Sequence, residues 1–534
     1  MEKEEKKEET KYFARAASGL VRQVTAFDVL TVNMVLMGIG YVFLYSMWAE
    51  NLFPGVDLPA TVAVAILPSI AIAFTYLLLS QAMPRSGGDY IWTSRIIHPI
   101  LGFIGNFYMT AVISTFLGMV AGMASYYGIA VMLMAAGLAS NNSGLTKLGL
   151  TVSSTPWSFI IAVAVIILLV VPMFFGTKAA FRVQISGFLI SMLGVLTYIV
   201  VSFVTPQHVF VSNFERLTGA SYQSIISVAH TAGYGTGILL GATLLGSIYT
   251  ALNYAGFTYS ASISGEVKQV RKSQLYGMVG AALLFGLLMY LIYAGAYNAM
   301  GQPFYSSLSF LAETGNKAYP LAFPEPALNY MIVFSSPNVI IVVLASLAVI
   351  GTCFTAIPAG VFICARNFFA YAFDRVLPTK VASVDKRFHA PYYAILISTI
   401  WAIIGAYLFL YTSFYKFVIW GAFANYIAFG IGCLAGALFP FRLKELFERS
   451  PAAVKRKVLG IPVISILGII GFAYSMFIAI ASLTPSFVGT VPVESYVMIV
   501  AIAVAAILIY SISYVYHKSK GVPLDLTFKE IPPE

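Results

Sequence analysis

AFDVLTVNMVLMGIGYVFLYSMWA, residues 26–49, is a run of 24 residues with one charge, Asp28, near its start and a Gly38-Ile39-Gly40 break near its middle. As a helix it would extend about 36 Å, enough to cross roughly 30 Å of hydrocarbon. Working outward, further apolar runs fall at 59–82, 100–138, 156–175, 179–204, 237–265, 275–300, 338–373, 391–410, 414–441, 462–483 and 491–517. That makes about twelve spans and an all-α polytopic membrane protein. Composition agrees: Asp, Glu, Lys and Arg are 10% of 534 residues and hydrophobic types 59%, whereas a soluble domain carries about 25% charge. Soluble enzyme, nucleic-acid binder and disulfide-stapled secreted domain are excluded as whole-chain readings. Cys353, Cys364 and Cys433 all lie in apolar runs and read as reduced packing residues.

The net charge of +10 reads first as topology, not as affinity for nucleic acid. Residues 1–22 mix both charge signs, hold no signal-peptide core and are expected as a cytoplasmic tail. With that tail inside, 27 of the 31 Lys and Arg residues fall on the cytoplasmic side, leaving Lys147, Arg216, Lys317 and Lys416 outside. One missed helix would invert every later loop, so the bias supports twelve spans, both termini cytoplasmic, and a multi-pass protein of the plasma membrane.

Spans three and eight are over-long, and spans one and six carry glycine breaks, Gly38-Ile39-Gly40 and Ala255-Gly256. Matching irregularities five helices apart predict two inverted five-helix repeats, about 26–204 and 237–441, within a core of 23–441. A cytoplasmic loop at 442–461, two appended helices at 462–517 and a cytoplasmic tail at 518–534 complete the plan. Close helix packing is the plainer explanation of any one glycine pair.

No acidic residue falls at a span centre, and no His, Asp or Glu cluster has metal-ligand spacing. Neither an enzyme nor a cofactor is expected. A substrate would be held by backbone groups and hydroxyls: N–H groups freed at a broken helix attract a carboxylate, and freed carbonyls attract an ammonium group or Na⁺. A zwitterionic amino acid fits both ends.

Three stretches resemble the amino acid-polyamine-organocation (APC) superfamily of permeases. Met83-Pro84-Arg85-Ser86-Gly87-Gly88-Asp89-Tyr90, with Arg95 and Pro99-Ile100-Leu101-Gly102-Phe103, is similar to the superfamily's first inner loop. Tyr254-Ala255-Gly256-Phe257, with Gly265-Glu266-Val267-Lys268 and Arg271, resembles its unwound sixth helix and the trailing signature. The segment from Arg366 to Pro378 resembles its "R-x-x-x-A-x-A-x-D-x-x-L-P" pattern. Helix one departs from the pattern: Gly38-Ile39-Gly40-Tyr41-Val42 keeps the glycines but lacks the hydroxyl and the phenylalanine. Span five, near Ser186 to Leu193, lacks the lysine of many proton-coupled members.

The resemblance implies a LeuT-like fold, with helices one and six unwound at mid-bilayer and alternating access by rocking of a bundle. It implies that Gly38, Ile39 and Gly40 offer N–H groups to a substrate carboxylate. Leu252, Asn253 and Tyr254 offer carbonyls to its amino group, beside Gly256, and Phe257 gates or lines the side-chain pocket. For Tyr254 and Phe257, ordinary helix packing is the competing reading. A candidate cation site combines helix-one carbonyls near Met34 and Met37 with the hydroxyls of Thr352 and Thr355, three residues apart on span eight. Those hydroxyls could equally bond carbonyls one turn back.

The expectation is a secondary active transporter of amino acids. Ile39, Leu252 and Phe257 favour neutral or aromatic ones, because no buried charge is available as partner. The bilayer surrounds it, and either Na⁺ or H⁺ serves as coupling ion, with Na⁺ coupling or exchange preferred. Alternatives are a permease for polyamines or other small organic amines, or a transporter-like nutrient sensor. The sensor would normally add a sizeable cytosolic domain.

Overall fold

The computed structural model describes residues 22–529 except 236, 386, 389, 413–417, 489–490, 492 and 522–523. Most of the expected N-terminal tail, Lys386 and Lys416 lie outside the described residues. Among those described, eleven helices are long and apolar enough to cross a bilayer. The protein is an all-α polytopic membrane protein.

The first span is two helices, α1 (Ala26–Met37) and α2 (Val42–Leu52), joined by a tight turn at Ile39–Tyr41. Thr25 caps α1 through a reciprocal box with Asp28, supplying acceptors for free N–H groups at the helix start. At the other end Gly38 adopts φ 72°, and its N–H bonds the Met34 carbonyl at 3.1 Å. A left-handed glycine is the usual stop for a helix.

Helix α3 (Leu58–Ala82) leads through the short α4 (Gly88–Ile96) into α5 (Pro99–Ala139). At 41 residues, α5 is about 60 Å long and so over-runs the hydrocarbon. Helices α6 (Thr155–Phe175) and α7 (Thr177–Val204) complete the first half. Helix α8 (Leu240–Tyr254) has only 15 residues, about 22 Å, and stops just before Ala255-Gly256, where the sequence placed a break in the sixth span. Beyond Tyr254 the chain runs as turns through Glu266. The stretch Thr258-Tyr259-Ser260-Ala261-Ser262-Ile263-Ser264 is poor in strong helix formers, and its Ser260 and Ser264 hydroxyls bond the Gln274 carboxamide.

Then come α9 (Val270–Met300), α10 (Gln302–Glu313), α11 (Leu328–Ser335) and α12 (Val339–Phe373), the last of 35 residues. Helices α13 (Tyr392–Tyr411), α14 (Val418–Arg442), α15 (Val463–Ala481) and α16 (Val493–Ser519) finish the membrane part. The 442–461 segment carries the short helix Lys444–Arg449 and one strand of a hairpin, Lys457–Val458 against Ile461–Pro462.

Small residues let the long helices meet backbone to backbone. A Cβ on Gly194 of α7 would come 2.1 Å from the Ala348 nitrogen of α12, and one on Gly351 would come 2.6 Å from the Ser191 nitrogen. Such contact substitutes for the hydrophobic drive that helices lack inside lipid. On the periphery, Val497, Val500, Leu508 and Ile512 of α16 and Ile469, Phe477 and Ile480 of α15 are exposed, as a lipid-facing wall requires.

Val24, just ahead of α1, lies beside the turns that follow α8. Val24 pairs with Val267, and Ser86 pairs with Ile263. This side is termed the near face, and the far face is the end of α2.

Candidate functional site

The broken first span and the turns after α8 cross at the centre of the bundle. Gly256 is where they touch: a Cβ there would lie 2.2 Å from the Leu36 carbonyl carbon and 2.3 Å from the Met37 nitrogen. Asn33 of α1 clasps the crossing from below. Its Nδ2 donates to Ser260 Oγ (2.9 Å) and to the Gly277 carbonyl (2.7 Å), and its Oδ1 accepts the Ser260 N–H at 3.0 Å. Ser260 is held in turn by Gln274.

Beside the crossing is a cavity of about 50 Å³, room for roughly four waters. Its walls are Leu36, Met37, Tyr41 and Tyr45 of the first span, Val112, Ile113, Phe116 and Leu117 of α5, Leu252, Ala255 and Tyr259, Ala356 of α12, and Gly421 and Asn425 of α14. No charged side chain lines it. Its polar corner is a hydrogen bond from the Tyr259 hydroxyl to Asn425 Oδ1, with Asn425 Nδ2 anchored on the Gly421 carbonyl at 2.8 Å.

Toward the far face an aromatic column stands over the cavity. Tyr41 stacks on Tyr45 (6.1 Å between centroids) and Tyr45 on Trp48 (5.4 Å), which meets Tyr127 of α5 edge-on at 6.2 Å. Toward the near face the closing contacts are polar. The Gly87 N–H donates to the Ser262 carbonyl at 2.9 Å. Glu266 and Arg366, 1% and 2% exposed, pair through Nε at 2.7 Å and Nη2 at 3.1 Å. Arg95 of α4 grips Asp374 at the end of α12 at 2.6 and 2.9 Å. Beside that pair, Asn106 Nδ2 donates to Asp89 at 2.7 Å, and burial pushes the Asp89 carboxyl up to about 7 against that bond.

Of the residues singled out in the sequence, Met37 and Leu252 line the cavity. The others are placed around it. The Gly38 N–H is spent on Met34, and the Gly40 N–H donates to Thr352 Oγ1 at 2.9 Å. A Cβ on Gly40 would meet the Ala348 carbonyl oxygen at 2.5 Å, so Gly40 serves the contact with α12. Ile39 is buried. The Leu252 and Tyr254 carbonyls accept the Ala255 and Phe257 N–H groups at 3.1 and 3.0 Å. Asn253 Nδ2 turns back to the Tyr249 carbonyl. Tyr254 and Phe257 are fully buried, packed on each other, and Phe257 rests on Phe429.

Thr352 shares a further hydrogen bond, 2.8 Å, with Ser191 of α7. Thr355 Oγ1 donates to the Gly351 carbonyl at 2.9 Å and lies 3.1 Å from that of Thr352. Both hydroxyls of the candidate cation site are thus engaged with protein, as is the Met34 carbonyl.

Tyr45, Phe116, Tyr259 and Asn425 are among the wall residues that sequence reasoning did not single out. Asn425 carried a readable signal, a carboxamide within the apolar run 418–442, since polar side chains inside a membrane helix are costly without a role. The aromatics carried none, because the chain holds 33 Tyr and 40 Phe.

No curated protein matches the sequence. A family model described as "Amino acid permease" matches residues 23–508, which spans the broken first helix, the crossing, the cavity and both closing layers, and the chain therefore belongs to the amino acid permease family of the APC superfamily.

Proposed function

We propose that the protein is a secondary active transporter of neutral amino acids, aromatic ones included, working by alternating access about a LeuT-like pair of five-helix repeats. The uncharged cavity carries this reading. Its walls are aliphatic and aromatic, with one amide and three hydroxyls as polar groups. A second charge on a substrate side chain would be desolvated there without a partner, at a cost of several kcal/mol, which disfavours polyamines and the acidic and basic amino acids.

The charge bias of the loops supports a plasma-membrane protein with both termini cytoplasmic. For coupling, Na⁺ or exchange is favoured over proton symport, since no carboxylate lines the cavity. A cation among the carbonyls of Met34 and Met37 and the hydroxyls of Thr352 and Thr355 would require those groups to exchange their present hydrogen bonds.

Uptake by proteoliposomes against all twenty amino acids and a set of polyamines tests the reading. Leucine- or phenylalanine-like substrates should be carried and glutamate, lysine and putrescine should not. Preferential uptake of any charged substrate would overturn it. Imposed Na⁺ and pH gradients separate the coupling ions, and stimulation by the pH gradient alone would rule out the Na⁺ and exchange readings.

A further inference from the structure

The loop between α10 and α11 places one carboxylate over the aromatic column. Glu325 Oε2 accepts from Trp48 Nε1 at 3.2 Å, and the Tyr127 hydroxyl lies 2.9 Å from both carboxylate oxygens. Trp48 belongs to α2, the far half of the broken first span, and Tyr127 to the long α5. One side chain from a loop therefore ties together two helices whose separation would open the cavity to the far face. Phe323, two residues earlier, packs on Tyr126, Tyr127 and Tyr330 and fixes the loop in place.

We propose that Glu325 is a positioning residue of the far-face gate, a latch that holds α2 against α5, and that protons on that side favour its closed state. The residue keeps partial solvent exposure, so protons reach it without crossing the cavity. Burial of the closed carboxylate between the two rings pushes its pKa from 4.5 to about 7, against the hydrogen bonds from Tyr127 and Trp48, and the charge of Glu313 adds to the rise. The other groups nearby are Tyr126 of α5, Tyr330 of α11 and Tyr319 on the same loop. On α2, Glu50 faces away, bonded to Tyr297 at 2.6 Å.

The sign follows from linkage. An open latch returns the carboxylate to water and its ordinary pKa, so the closed state binds the proton more tightly. Proton-favoured closure is complete below about 4.5 and is lost as pH rises through about 7. The latch regulates the site of the proposed transport path and is distinct from the coupling ion.

The test is the rate at which an impermeant thiol reagent, added on the far side of intact cells or sealed vesicles, modifies Phe116→Cys in the cavity wall. Rates at pH 5.5, 6.5 and 8.0 are divided by those of the same protein carrying Glu325→Gln, which cancels the ionisation of the thiol itself. The normalised rate should rise at least about threefold from pH 5.5 to 8.0, and Trp48→Phe should raise it at every pH. A flat normalised profile, or no effect of Trp48→Phe, would overturn the latch. Leu252→Cys replaces Phe116→Cys if that variant is not monodisperse. Uptake is measured in parallel: labelling that follows pH without any amino acid uptake sinks the transport reading and leaves the latch standing.

Discussion

At Gly256 and Gly40 the nearest atom that a side chain would strike belongs to backbone: Leu36 and Met37 in the first case, the Ala348 carbonyl, followed by the Thr352 side chain, in the second. Backbone cannot rotate aside. Gly256→Ala is expected to cost at least the roughly 1–3 kcal/mol of overpacking, read as a lower melting temperature in detergent, and an unchanged melt would mean that the two breaks do not touch. The Glu266–Arg366 pair makes a second prediction. Arg366→Leu leaves a buried carboxylate without its counter-charge, expected to cost about 3–5 kcal/mol, and adding Glu266→Gln should restore much of that loss. A double variant no more stable than the single one would place the role of Arg366 elsewhere, in its stacking 3.7 Å from the Phe362 ring centroid.

Among the elements, α1 is held by side-chain hydrogen bonds to irregular chain. Asn33→Ala removes three bonds at once and leaves the Gly277 carbonyl and the Ser260 N–H without this partner. Each buried orphan costs about 1–3 kcal/mol, so both stability and uptake should fall. Thr352→Val likewise strands the Gly40 N–H, whereas Thr352→Ser keeps the acceptor and should behave almost as the parent. If Thr352→Val melts normally but loses only its response to Na⁺, the hydroxyl serves a cation and not the contact between the Ile39–Tyr41 turn and α12. Asn33, like Asn425, is a carboxamide within an apolar run, but its partners were not legible in the sequence because they lie 227 and 244 residues away.

Over the whole molecule, orientation in the membrane rests on the distribution of Lys and Arg. A cysteine at Ser212, exposed on the short helix Gln207–Thr218, should react with impermeant reagents outside intact cells. Ser450 is a poor partner for that experiment, being buried with its hydroxyl on the Leu446 carbonyl. Lys457→Cys, exposed on the hairpin, should stay unlabelled. The opposite pattern would turn the protein over and place the Glu325 latch in the cytoplasm.

Span positions were legible because an apolar run of 20 or so residues has no soluble use, and eleven of the expected ranges lie within five residues of a helix at each end. The Gly38 stop was legible for a local reason, since only glycine takes that left-handed turn without strain. The break in span six was legible at Ala255-Gly256, but its extent was not: the irregular chain runs on through Glu266, and hydropathy, which measures partition into lipid, is blind to where a helix stops. The identity of the wall residues was decided by tertiary structure alone. Sequence placed substrate contacts at the breaks, yet the N–H groups of Gly38 and Gly40 are spent on Met34 and Thr352, and the cavity opens beside them among Tyr41, Phe116, Tyr259 and Asn425. Which apolar side chains face a void and which face each other depends on how five spans cross, and no single helix encodes that.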